Sequence, residues 1–86
     1  MKRIEKSILV ERQFDQKTTV DFCQLTSGFS ADIKLLKGTF VIDAKSMMGL
    51  LALPIRKGAE FNVQVEGADA EDAAKAVEGY LTGTDK

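Results

Sequence analysis

The 86-residue sequence has no histidine. Its absence removes the usual general base near neutral pH and the commonest metal ligand. No nucleophile–base pair and no metal-ligand spacing stands in its place, so enzymatic function ranks last and neither metal nor cofactor is expected. Cysteine is nearly missing too: Cys23 stands alone and forms no internal disulfide. Residues 1–11 mix Lys, Arg and Glu with apolar side chains and hold no apolar core of a signal peptide, which makes the cytoplasm the expected address. The longest apolar run, residues 47–53, is far short of the roughly 20 residues that cross a bilayer. An excess of either charge is lacking as well. Twelve basic and thirteen acidic residues leave a net charge of −1, so nothing directs the chain to nucleic acid or anionic lipid. With no repeat, linker or low-complexity segment, residues 1–86 are expected to form one small domain with a two-layer core and a disordered tail over 83–86.

What remains is a series of short, patterned segments. Residues 3–11 read as a first strand with Ile4, Ile8, Leu9 and Val10 as its β-prone bulk, although Lys6 falls on the face of Ile4 and Ile8. Residues 12–17 read as a polar loop holding Phe14. Over 18–27, Thr19, Phe22, Cys23 and Thr26 follow the i, i+3, i+4, i+7 spacing of a helix, which Gly28 ends. Cys23 lies mid-helix on that stripe, with neither a cation nor a helix N-terminus to activate it, and is read as core. Residues 31–37 and 39–43 form a hairpin turning at Lys37-Gly38, with Ile33 and Leu35 alternating on one strand and Phe40 and Ile42 on the other. Residues 60–65 alternate most cleanly, with Phe61, Val63 and Val65 inward. Asp69 is the expected N-cap of a last helix whose apolar stripe is Ala70, Ala73, Ala74, Val77, Tyr80 and Leu81. The order β-α-β-β-α-β-α suits an α+β domain, one antiparallel sheet with helices on one face.

The most informative stretch begins at Lys45-Ser46. Ser46 suits a helix N-cap, because its hydroxyl can accept from a backbone N–H two or three residues on. Met47, Met48, Gly49, Leu50 and Leu51 follow, apolar on more than one side. Gly49 is a poor helix former, costing about 1 kcal/mol against alanine, which implies a close approach to the backbone there. Lys45-Ser46, Met47-Met48, Gly49, the apolar run 50–53, Lys57-Gly58 and the alternating strand after it together resemble the regulatory-serine segment of the HPr family. These are the histidine-containing phosphocarriers of the bacterial sugar phosphotransferase system. The ending from Gly67 to Ala73 is similar to that family's last turn and final helix. The resemblance implies an open-faced β-sandwich: a four-stranded antiparallel sheet with two longer helices and one short one on one face.

In that family the phosphoryl group rides on a histidine before the first helix, in Gly-x-His-Ala-Arg-Pro-Ala. Counting back without gaps from Ala31-Asp32 turns this motif into Gln13-Phe14-Asp15-Gln16-Lys17-Thr18-Thr19. Asp15 then stands for the histidine and Lys17 for the arginine, without the bidentate fork that suits phosphate. A two-residue gap in the loop would remove the counterpart altogether. Phosphorelay through histidine is excluded in both alignments. Asp15 offers an aspartyl phosphate as the alternative acceptor, against the plainer reading of a solvated loop aspartate, which base rates favour. Ser46 is weighed as a phosphorylation site as well as a cap, the two roles being compatible. Phosphate there would meet free N–H groups and the positive end of the helix dipole.

Leu50 and Leu53 are read as core. Met47, Met48 and Leu51 are read as a docking surface, since methionine adapts to several partners. The resemblance implies that these positions meet the phosphotransferase enzymes, an HPr kinase and a transcription regulator. Lys17, Val20 and Gln24 on the exposed face of the first helix would extend the surface. The expected function is that of a non-enzymatic, partner-binding HPr-like protein under control at Ser46. It is similar in logic to catabolite-repression HPr, a family variant with glutamine at the histidine position that acts with a LacI-type regulator.

Overall fold

The alternation Phe61, Val63, Val65 puts one face of β4 (Glu60–Glu66) into the core, where all three side chains are buried. In the computed structural model, which describes residues 2–84, β4 is an inner strand of a four-stranded sheet. It pairs antiparallel with β1 (Arg3–Leu9) on one side and β2 (Asp32–Lys37) on the other, and β3 (Phe40–Asp43) closes the far edge. The sheet order is β1-β4-β2-β3. Helices α1 (Gln16–Ser27), α2 (Met47–Ala52) and α3 (Ala70–Thr82) cover one face. The α+β architecture expected from the element order is therefore present.

The core lies between that face and the helices. Ile8, Ile33, Leu35 and Ile42 meet Phe22 of α1, Leu50 of α2, and Ala73, Val77 and Leu81 of α3. Each large side chain so buried stabilises the fold by about 1.5–3 kcal/mol. Small residues on α3 bring it close to the sheet, and Gly67 just before it is indispensable for that approach. Gly67 has φ +154°, and a Cβ there would lie 2.6 Å from Ala31 Cα. Asp69 secures the same junction, although not as a conventional cap. Its carboxylate makes no helix-capping bond and instead accepts from the backbone N–H groups of Ser30 (3.0 Å) and Ala31 (2.9 Å).

Four sequence expectations need correction. Strand β1 stops at Leu9, two residues early, and Lys6 keeps its place among Ile4 and Ile8 because β1 is an edge strand. There its ammonium reaches past the core to Glu78 of α3 at 2.7 Å. The hairpin turns at Gly38-Thr39, one residue later than expected, with Gly38 at φ +60° and Lys37 paired with Phe40. Phe40 itself is 60% exposed, because it sits at the start of the edge strand β3 and borders an open groove beside α2. Finally, α1 begins at Gln16, so Asp15, Gln16 and Lys17 belong to a helix start and not to a loop. At the other end of the chain, Gly83 adopts φ +79° as the C-cap of α3, and Thr84 N–H donates to Gly79 O at 2.9 Å. The rest of the segment read as a tail, residues 85 and 86, lies outside the described residues.

Candidate functional site

Two helix N-termini carry the residues singled out by sequence. At the start of α1, Asp15 is extended (φ −125°, ψ −169°) and turns its carboxylate back over the first turn. Its Oδ1 accepts from Thr18 N–H at 2.9 Å, while Asp15 N–H donates to Thr18 Oγ1 at 2.7 Å. This reciprocal capping box satisfies two backbone donors with two side chains. The Thr18 backbone bond, then the Thr18 hydroxyl, hold the Asp15 carboxyl below the usual aspartate range. The helix end thus already has an anion, supplied by its own chain.

Beneath this turn lies a cluster that sequence reading missed. Arg12 donates through Nε to Tyr80 O at 2.7 Å and lays its guanidinium 4.2 Å above the Tyr80 ring. Tyr80 hydroxyl donates to Thr18 O at 3.2 Å, and Phe14 meets both Phe22 and Tyr80 edge-on at about 6 Å. Residue 12 and residue 80 share no local pattern; the backbone N–H groups of Glu11 and Arg12, which both donate to Leu81 O, bring the chain before α1 against α3. Phe14, the one aromatic of that loop, was the available hint.

At the start of α2, Ser46 is also extended (φ −98°, ψ 111°), and its hydroxyl accepts from Gly49 N–H at 3.2 Å. The expected cap is present, worth about 1 kcal/mol. Ser46 N–H donates to Asp43 O at 2.9 Å, which fixes the helix start to the end of β3. Leu50 is fully buried and anchors the helix, with Leu53 packed partly against the same core. The close approach implied by Gly49 is to Ile42: a Cβ would sit 3.3 Å from Ile42 Cγ2. With Leu50 inward, Met48 and Leu51 turn outward, 84% and 53% exposed, while Met47 is half-buried.

The two starts are joined through α1 and α2. Cys23 Sγ lies 3.4 Å from Lys45 O, and Thr26 Oγ1 donates to Ala44 O at 2.7 Å, so the later turns of α1 run beside the start of α2. Cys23 is half-buried there and packs against the core. The first turn of α1 lies toward the far end of α2. Asp15, Gln16 and Thr19 line a groove of about 430 Å³ with Leu51, Pro54 and Arg56. Lys17 and Val20 flank Asp15 in an adjoining shallow concavity; Lys17 is exposed and Val20 half-buried. Gln24 is exposed further along α1 and lines neither hollow. Ser46 faces a third groove, bordered by β3. No group of His, Cys, Asp and Glu among the described residues is arranged to hold a metal, and no helix there is long and apolar enough to cross a membrane.

Residues 6–82 match the sequence model of the PTS HPr component phosphorylation site family. The chain belongs to the HPr family. It is similar to the phosphocarrier protein HPr of Bacillus anthracis str. Ames, 31% identical over 92% of this chain and 96% of that one, with a TM-score of 0.86. HPr-C-His of Thermoanaerobacter tengcongensis is 28% identical over 98% and 94%, with a TM-score of 0.80. The Bacillus subtilis catabolite repression protein Crh, described as a domain-swapped dimer, is 25% identical over 90% and 88%, with a TM-score of 0.75. Membership in the HPr family places the chain among phosphotransferase-system phosphocarriers and their divergent relatives. Against that background the lack of histidine in all 86 residues stands out.

Proposed function

We propose that this HPr-family chain binds protein partners of the phosphotransferase system and regulates them without carrying phosphohistidine. The observation that carries the reading is the missing histidine, together with Asp15 tied down as the cap of α1. The Asp15 Oδ1 accepts from Thr18, and phosphorylating the carboxylate would neutralise the anion that makes this cap. Likeness to a catabolite repression protein is consistent with a regulatory role. The docking face in this reading is Met47, Met48 and Leu51 of α2, extended by Lys17, Val20 and Gln24 of α1. Its partners are the phosphotransferase enzymes, an HPr kinase or a transcription regulator in the cytoplasm, and the chain itself performs no catalysis.

Ser46 is the control point. A phosphate on its hydroxyl adds about two negative charges beside the exposed methionine while leaving anion-compatible N–H groups in reach. Incubation with phosphoenolpyruvate and the general phosphotransferase enzyme should leave the chain unlabelled. ATP and an HPr kinase should give an acid-stable, base-labile mark that Ser46→Ala abolishes. A second acceptor chemistry is open to test in the same experiment: a hydroxylamine-sensitive acyl phosphate lost in Asp15→Asn would replace this reading with a carrier working through aspartate.

A further inference from the structure

The two edges of the sheet are built differently. Strand β1 carries charge on both faces: Lys6 pairs with Glu78 on the helix face, and Arg3 pairs with Glu5 on the open face at 3.2 Å. Inward charges of this kind discourage edge-to-edge pairing. Strand β3 has no such protection over Phe40-Val41-Ile42, and Phe40 and Val41 are both about 60% exposed. Ala44 N–H donates to Ile33 O at 2.9 Å, so the alternation of an antiparallel ladder turns the Phe40 and Ile42 amides toward β2 and the Val41 amide outward. Alongside this free edge runs an apolar groove of about 300 Å³ under α2, lined by Phe40, Ile42, Ser46, Gly49, Ala52 and Leu53.

We infer that a second copy of this chain occupies the groove, its β3 pairing antiparallel with the first about a two-fold axis at Val41. That register sets the outward Val41 amide and carbonyl of each copy against those of the other. It also sets Phe40 of each copy opposite Ile42 of its partner, on the helix face, where the groove accepts the ring. Ring and groove thus lie two residues apart on one strand, the self-complementary arrangement that an isologous interface requires. Thr39 falls opposite Asp43, a neutral donor against the strand's one charge. Net charge near zero adds little repulsion between copies. With only four residues in the strand the contact is below standard interface size, so association is weak and reversible.

Sedimentation equilibrium on the full chain should show the average mass rising from one chain toward two between about 0.05 and 1 mM, the range of a weak complex. Phe40→Ala should hold the chain monomeric throughout. So should Val41→Pro, which removes an outward N–H and no bond to β2. Thermal melts at low concentration check that both variants are folded. Amide exchange should slow at Val41 as concentration rises in the wild type. A wild type monomeric at about 1 mM would sink the proposal. A dimer unchanged in either folded variant, or one that leaves Val41 exchange untouched, would place the contact elsewhere and sink it equally.

Discussion

Helices α1 and α2 start in similar extended geometry, yet one start is closed and the other open. Asp15 brings an ionised carboxylate and forms a reciprocal pair of bonds with Thr18, so the first turn of α1 is occupied by charge. Ser46 brings a neutral hydroxyl and forms one bond, to Gly49, while Met48 stands exposed two residues on. A fixed anion makes a poor landing place for a second anion, whereas a hydroxyl can be converted into one. The difference is one of residue type: the cap of α1 is a charge already in place, and the cap of α2 is a neutral hydroxyl.

The sharpest way to break this contrast is phosphate labelling with ATP and kinase. Ser46→Ala should lose the mark completely, whereas Asp15→Asn should keep it at wild-type stoichiometry, read by intact mass. Loss in both variants would show that the two ends are not independent. Next in size is stability. Asp15→Ala removes the carboxylate that accepts from both Thr18 N–H and Thr18 Oγ1, keeps the residue-15 N–H on Thr18 Oγ1, and should lower the melting temperature further than Ser46→Ala, which removes a single cap bond worth about 1 kcal/mol. Equal falls in a thermal melt would mean that the bond from the Thr18 hydroxyl to the carboxylate adds nothing.

Acid titration separates the two caps, because Asp15 titrates and Ser46 does not. Asp15 and Asp69 have folded-state affinities for protons below the ordinary aspartate range, Asp15 through Thr18 and Asp69 chiefly through Ser30 N–H. Their contribution is therefore complete above the unfolded aspartate range and is lost as pH falls through the lowered folded values. Urea midpoints measured from pH 6 down to about 2 should fall less steeply in Asp15→Asn than in the wild type, while Ser46→Ala shifts the whole curve in parallel. The smallest expected change is at Gly49→Ala. Better helix propensity, up to about 1 kcal/mol, opposes the 3.3 Å contact with the Ile42 methyl, so the unfolding free energy from urea titration should change by no more than about 0.5 kcal/mol either way.

Much of this was legible in the sequence because the signals were local. The alternation in β4, the stripe of α3 and the cap at Ser46 each depend on neighbours within a few residues, where backbone geometry sets which side chains share a face. Lys6 looked like a broken pattern because its partner Glu78 lies 72 residues away. Asp69 stood at the expected boundary, but its oxygens serve Ser30 and Ala31, a choice made by the close passage of Gly67 over Ala31. Phe40 kept its predicted parity with Ile42 and still escaped burial, since parity selects a face of the sheet and not the length of helix that covers it. Asp15 was readable as a cap from Thr18 three residues later, but without a glutamate or glutamine at that position the motif was weak.

The sequence by itself determined the order of elements, the apolar faces and the absence of histidine from these 86 residues, because periodicity and composition are properties of the chain before it folds. Only the tertiary structure decided which exposed groups face one another: Arg12 over Tyr80, the first turn of α1 beside the end of α2, and the uncovered edge of β3 beneath α2. Those meetings depend on how layers pack across long loops, and no local rule along the backbone encodes the distance between two such surfaces.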